Sequence, residues 1–243
     1  MTLVPILLFG IVVLITHFIE GITGFGCTVL ALPFCVLLVG IKSAVPVLVI
    51  LAWILALYVI IIDFKNIIWK EFTRIVVFVG IGLPIGMILF SKLPESILKS
   101  ILGVFMILVS IRGLYTSFKP STKTLSLNKY VMNFILFLGG IIHGAFGSGG
   151  PFIVIYAAKA LPNKSNFRAT ICLLWLSLNS VIIVKNISVG AITPDVLKLL
   201  LFTIPFLVVG MLLGNKAHNT IDEKIFIKVV YGVLLISGFF MFL

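Results

Sequence analysis

Ten apolar runs make up most of this chain, and short polar stretches between them carry most of its charge. The runs cover residues 3–19, 27–39, 44–62, 75–90, 97–111, 130–142, 151–161, 171–184, 197–213 and 225–243. The polar stretch 115–129, with Lys119, Pro120 and Lys123, is the only candidate linker and divides the runs five and five. A helix rises about 1.5 Å per residue and the hydrocarbon core is about 30 Å thick. Runs 27–39 and 151–161 reach only about 20 Å and 16 Å. Each follows a glycine cluster, Gly21-Ile-Thr-Gly-Phe-Gly26 or Gly144-Ala-Phe-Gly-Ser-Gly-Gly150. The pattern predicts an all-α polytopic membrane protein, with glycine-rich breaks in the first helix pair of each half.

The halves resemble each other. Placing Gly21 on Gly144 also pairs Gly24 with Gly147 and Gly26 with Gly149. Further on, Gly86-Met87 matches Gly210-Met211, and Lys92 matches Lys216. Residues 1–114 are read as a first membrane repeat, 115–129 as a cytoplasmic linker and 130–243 as a second repeat.

Composition agrees with a membrane class. The chain is 61% hydrophobic and 10% charged, with a mean hydropathy of +1.33. Soluble domains carry about 25% charge. The net charge of +11 has no dense basic run behind it, so it is read as loop charge and not as a nucleic-acid surface. Cys27, Cys35 and Cys172 form no CxxC pair, and neither a disulfide nor a metal site is expected. No Lys or Arg precedes Lys42, so residues 3–19 are expected to remain as a membrane segment.

Charge also orders the segments. With five segments per half, 13 of the 18 Lys and Arg residues fall on one side and 5 on the other. With four crossings per half the split is 9 against 9. The positive-inside bias selects five segments. An odd number inverts the second half relative to the first, and both termini face outside the cytoplasmic (inner) membrane. Inverted repeats with Gly/Pro-interrupted short segments are a signature of secondary transporters, and the interruption marks their substrate site.

A glycine cluster before a helix start leaves backbone N–H groups free beside the positive end of a helix dipole. Such a place binds anions without a formal charge. Thr23, Thr28 and Ser148 add hydroxyls, and Pro151 suits the first turn of a helix. The alternative role for the glycines is tight helix packing. Phe25 and Cys27 belong to the first cluster and Gly150 to the second, with Cys27 read mainly as packing. Glu20 and His143 stand directly before the two clusters. They are candidate coupling groups, for a proton or a sodium ion, or else an interfacial acid and a helix cap. Arg168 is either an electrostatic attractor for the anion or a loop charge. Trp175 and Asn179 share a helix face, just after Thr170. Asn179 either holds helices together or touches substrate.

These residues carry a family resemblance. Gly21-Ile-Thr-Gly-Phe-Gly26 with Pro33, and His143-Gly-Ala-Phe-Gly-Ser-Gly-Gly-Pro151, resemble the duplicated glycine motifs of the TauE/SafE family of sulfite-exporter or sulfonate-permease-like transporters. Arg168-Ala-Thr170, running on to Trp175 and Asn179, is similar to it as well. The resemblance spans nearly the whole chain. It implies secondary transport of a small sulfur-containing anion. The first half departs from it: Lys42-Ser-Ala-Val45 stands where the second half has Ser165-Asn-Phe-Arg168, so the two half-sites differ chemically.

The candidate substrate lining is thus Thr23, Gly24, Phe25, Gly26, Cys27, Gly147, Ser148, Gly149, Gly150, Pro151, Thr170, Trp175 and Asn179. No cofactor is expected. The expected partners are a small anion and the lipid bilayer, with a homodimer as a candidate assembly. No Walker motif is present. Phe146 stands where a GxSxG elbow around Ser148 needs glycine, and no HExxH occurs. An enzyme is therefore not expected; an anion channel or a non-transporting membrane subunit is the alternative.

Overall fold

The computed structural model describes residues 3–118, 128–161 and 163–218, with Leu235 and Phe239. Among these residues there is no strand. The helices are α1 (Leu3–Thr23), α2 (Cys27–Val39), α3 (Ile41–Asp63), α4 (Trp69–Lys92), α5 (Glu95–Phe118), α6 (Lys129–Phe146), α7 (Gly150–Ala160), α8 (Lys164–Ser188) and α9 (Pro194–Ala217). A 3-10 turn, Phe64–Asn66, closes α3. Among the described residues, seven helices are long and apolar enough to cross a membrane. The chain is an all-α polytopic membrane protein. Helices α2 and α7 are short, at 13 and 11 residues. Of the run 225–243, only Leu235 and Phe239 are described, and both are helical. The first residues of the stretch read as a linker, 115–118, continue α5, while 119–127 lie outside the described residues.

Helices α6, α8 and α9 start ahead of their apolar runs, where a polar side chain caps each. Asn163 accepts the N–H groups of Ser165 and Asn166, which starts α8 seven residues before Ile171. Asn128 caps α6, and Thr193 caps α9 ahead of Pro194. Helix α2 differs. Its cap residue is Gly26, with φ +108°, and no local side chain caps it.

The long helices pair across the halves. Helix α1 packs along α9, and α6 along α4. Both pairs run parallel: Gly82 meets Phe137 and Gly86 meets Ile141, while Leu14 meets Gly210 and Phe18 meets Gly214. A Cβ on Gly82, Gly86, Gly140 or Gly144 would strike a backbone carbonyl of the facing helix. Small residues thus let these backbones touch, which is how helices associate where lipid gives no hydrophobic drive. At the centre, α3 and α8 run antiparallel. Trp53 donates its indole N–H to Ser180 Oγ at 2.8 Å, and Asp63 meets Arg168 at 3.3 Å.

Polar contacts gather at one end of the bundle. Arg74 donates to Asn133 at 3.3 Å, the Ile68 N–H to Thr170 Oγ1 at 3.0 Å, and Lys164 to the carbonyl of His218 at 2.5 Å. They join the starts of α4, α6 and α8 to the end of α9. The outer faces are apolar and exposed, as at Ile11, Ile81, Leu108 and Val184, which suits contact with acyl chains.

Candidate functional site

The two glycine clusters come together in space. A buried cavity between them is lined by Glu20, Gly26, Thr28 and Val29 from the first half's break, by His143, Gly147, Ser148 and Gly150 from the second, and by Ala52, Trp175 and Asn179. Ala52 lies at the middle of α3, and Trp175 and Asn179 near the middle of α8. The cavity is therefore at mid-height of the bundle. Its volume is about 20 Å³, measured to the centre of a water-sized sphere, enough for one water on that measure.

Two helix starts face this space. In α2 the first backbone bond of the helical ladder is Leu30 N–H to Gly26 O at 3.0 Å, so the N–H groups of Cys27, Thr28 and Val29 precede it. The Cys27 N–H donates to Glu20 Oε2 at 2.7 Å. Glu20, at the end of α1, thus caps α2 from seven residues upstream. In α7 the first such bond is Ile153 N–H to Gly149 O at 3.3 Å, and Gly150 opens the helix at the cavity wall. Ser148 is 2% exposed, and its Oγ has no hydrogen-bond partner.

His143 is held on both ring nitrogens. Nε2 lies 3.0 Å from Asn179 Oδ1, and Nδ1 accepts from the Gly149 N–H at 3.4 Å. An acceptor on one nitrogen and a donor on the other define a neutral ring with its proton on Nε2. Trp175 stacks on this ring, centroids 5.1 Å apart, and donates its indole N–H to the Gly24 carbonyl at 3.0 Å. One side chain of α8 therefore ties both breaks together.

The sequence candidates divide into two groups. Glu20, Gly26, His143, Gly147, Ser148, Gly150, Trp175 and Asn179 line the cavity. The others stand behind it. Thr23 bonds its own turn through the carbonyls of Ile19 and Phe25. Phe25 packs edge-on against Phe167. Gly24, at φ +81°, lies against the Arg168 backbone, and a Cβ on Gly149 would strike the Gly139 carbonyl. Pro151 occupies the first turn of α7. Thr170 accepts from the Ile68 N–H, and Cys27 contributes its backbone to Glu20. Arg168 is 2% exposed, paired with Asp63 and donating to Asn215 Oδ1 at 2.8 Å, and is not among the lining residues.

Several participants were not singled out in the sequence. Asp63 was one acidic residue at a helix end among several, and its partner is 105 residues away. Val29 and Ala52 are lining residues with no chemical signature. His17 is fully buried one turn before Glu20, and its Nε2 has no partner. Its signal was legible, since two ionisable residues three apart inside an apolar run share a helix face.

A family model described as "Sulfite exporter TauE/SafE" matches residues 8–241, nearly the whole chain. No curated protein and no solved structure gives a match.

Proposed function

Since the chain belongs to the sulfite exporter TauE/SafE family of membrane transporters, we propose that it is a secondary transporter and that the mid-height cavity is its substrate site. The cargo is a small anion, a sulfur oxyanion or an organosulfonate, carried across the cytoplasmic membrane by alternating access. The observation that carries this reading is the meeting of two helix starts, α2 and α7, at one buried cavity where Ser148 Oγ has no partner. Half-helix N-termini aimed at a midplane site are how transporters of this kind hold anionic groups.

The two sequence halves act as inverted repeats, with α1–α2 and α6–α7 as returning pairs. Three features support this: the antiparallel crossing of α3 and α8, the exchange of partners in the α1–α9 and α4–α6 pairs, and the departure of α2 and α7 from the cavity toward opposite ends. The end that holds Lys65, Lys70, Arg74, Lys129, Lys164 and Lys216 is cytoplasmic, which leaves both termini outside.

Two measurements test the proposal. Purified protein is titrated with sulfite, thiosulfate, sulfoacetate, taurine, sulfate and simple carboxylates. Saturable binding of a sulfur anion in preference to the carboxylates is the expected result. Vesicles loaded with the bound anion should then show counterflow, which a carrier gives and a channel does not. For topology, Cys27, Cys35 and Cys172 are buried, so a single added cysteine reports alone. Val189→Cys should react with an impermeant reagent on intact cells, and Ser121→Cys should not.

A further inference from the structure

We propose that the Glu20 carboxylate is a resident anion that holds the start of α2 until a cargo anion replaces it, and that this exchange requires Glu20 to take up one proton. The inference rests on the cavity being the anion site.

The two helix starts at the cavity are unequal. At α2, a carboxylate from the preceding helix already accepts a first-turn N–H at 2.7 Å. At α7, the residue in Glu20's place is His143, an uncharged ring held by Asn179 and Gly149, and the nearby Ser148 hydroxyl has no partner. Glu20 is 2% exposed and lines the same small cavity as Gly26, Thr28 and Ser148. A cargo anion bound there would stand beside a second negative charge with little water between them. Like charges that share a desolvated site cannot both stay ionised. Protonation of Glu20 removes the repulsion and releases the Cys27 N–H for the cargo.

The other titratable groups facing this region do not supply the proton exchange. His143 has both nitrogens engaged. Cys27 on α2 and Cys172 on α8 are thiols, whose ordinary pKa of about 8.5 lies above the working range. Arg168 is paired with Asp63. His17, on Glu20's own helix, places Nδ1 on the Val13 carbonyl at 2.8 Å, and His218, past α9, is held on the Ile22 carbonyl at 2.6 Å and does not line the cavity. The balance is simple. A proton passes from water on the loading side to the Glu20 carboxylate, and the cargo accepts the freed N–H. On release the proton leaves to water on the other side and the carboxylate returns to Cys27. One anion moves with one proton.

Thiosulfate is the probe, because its own charge is constant between about pH 5 and 8. Wild-type affinity should fall as pH rises, by about tenfold per unit above the Glu20 titration. Glu20→Gln keeps an oxygen toward Cys27 without the charge. It should bind with a flat pH profile, and more tightly than wild type at the alkaline end. His17→Gln should keep the wild-type slope. In weakly buffered solution, wild-type protein should take up one proton per thiosulfate bound, a reading independent of whether the variant folds. The proton exchange is overturned if wild-type binding is pH-independent without proton uptake, if Glu20→Gln keeps the wild-type slope, or if the slope is lost in His17→Gln instead. In those cases the anion site stands. Wild-type protein that binds neither thiosulfate, sulfite nor methanesulfonate at any pH overturns the site and this inference together.

Discussion

The indole N–H of Trp175 reaches the carbonyl of Gly24 at 3.0 Å, from a residue 151 positions away. That carbonyl lies in the break between α1 and α2, where no helix ladder serves it. Trp175→Phe keeps a ring to stack on His143 and removes the donor. The Gly24 oxygen would be left with the Cys172 thiol at 3.8 Å. A buried acceptor left without any donor costs about 1–3 kcal/mol, and a weak thiol donor offsets only part of that. The variant should be destabilised by up to that amount in denaturation assays.

Ser148→Ala should separate stability from binding. A buried hydroxyl without a partner contributes nothing to the fold, so its removal should leave stability unchanged or raise it by about 1 kcal/mol. If the hydroxyl serves the anion, thiosulfate affinity should fall roughly tenfold. Titration of the variant beside its melting curve checks both.

Asp63→Ala should destabilise strongly. Arg168 is almost fully buried, and removal of its carboxylate leaves an uncompensated charge, a change that costs about 3–5 kcal/mol in buried pairs. The double variant Asp63→Ala with Arg168→Met should lose less than Asp63→Ala alone. Denaturation of the three proteins gives the comparison.

Much of the fold was legible in the sequence. The bounds of α2 match its apolar run, because glycines stand at both ends, Gly26 and Gly40. Helix α8 began earlier than its apolar run because Asn163 caps a polar first turn. Collinear glycines pointed to the two breaks that meet at the cavity. What the sequence could not separate was the work of each glycine. Gly26 and Gly149 align in the sequence, yet Gly26 needs a positive φ and has room for a Cβ, whereas Gly149 has an ordinary φ and no room for one. Spacing is blind to that difference. It is equally blind to the Asp63–Arg168 pair, which exists only once α3 and α8 cross.

The glycine seams give a paired test on α4. Gly86→Ala would push a methyl group into the Ile141 carbonyl and should separate α4 from α6, with a loss of at least about 1–3 kcal/mol. Gly80→Ala, on the same helix, meets nothing within 4 Å. It should be neutral or stabilising by up to about 1 kcal/mol, the propensity difference between the two residues. Melting temperatures in one detergent decide the pair.

His218, just past α9, offers a pH test of the fold. Burial holds its imidazole below the ordinary 6.5, while its Nδ1–H donates to the Ile22 carbonyl at 2.6 Å. A histidine whose folded pKa is depressed binds more protons when unfolded, so stability falls as pH drops below about 6.5. His218→Gln should remove part of that acid sensitivity, as read from melting curves across pH.

The partner exchange between the halves has a consequence for how the chain is made. Gly21 rests against Gly214, 193 residues later. Helix α1 therefore meets its mate only after α2 to α8 have been threaded. Until then α1 holds its glycine seam without the wall that covers it. Biogenesis of this protein depends on keeping one early helix waiting, and a chain stopped before α9 would leave α1 without its partner.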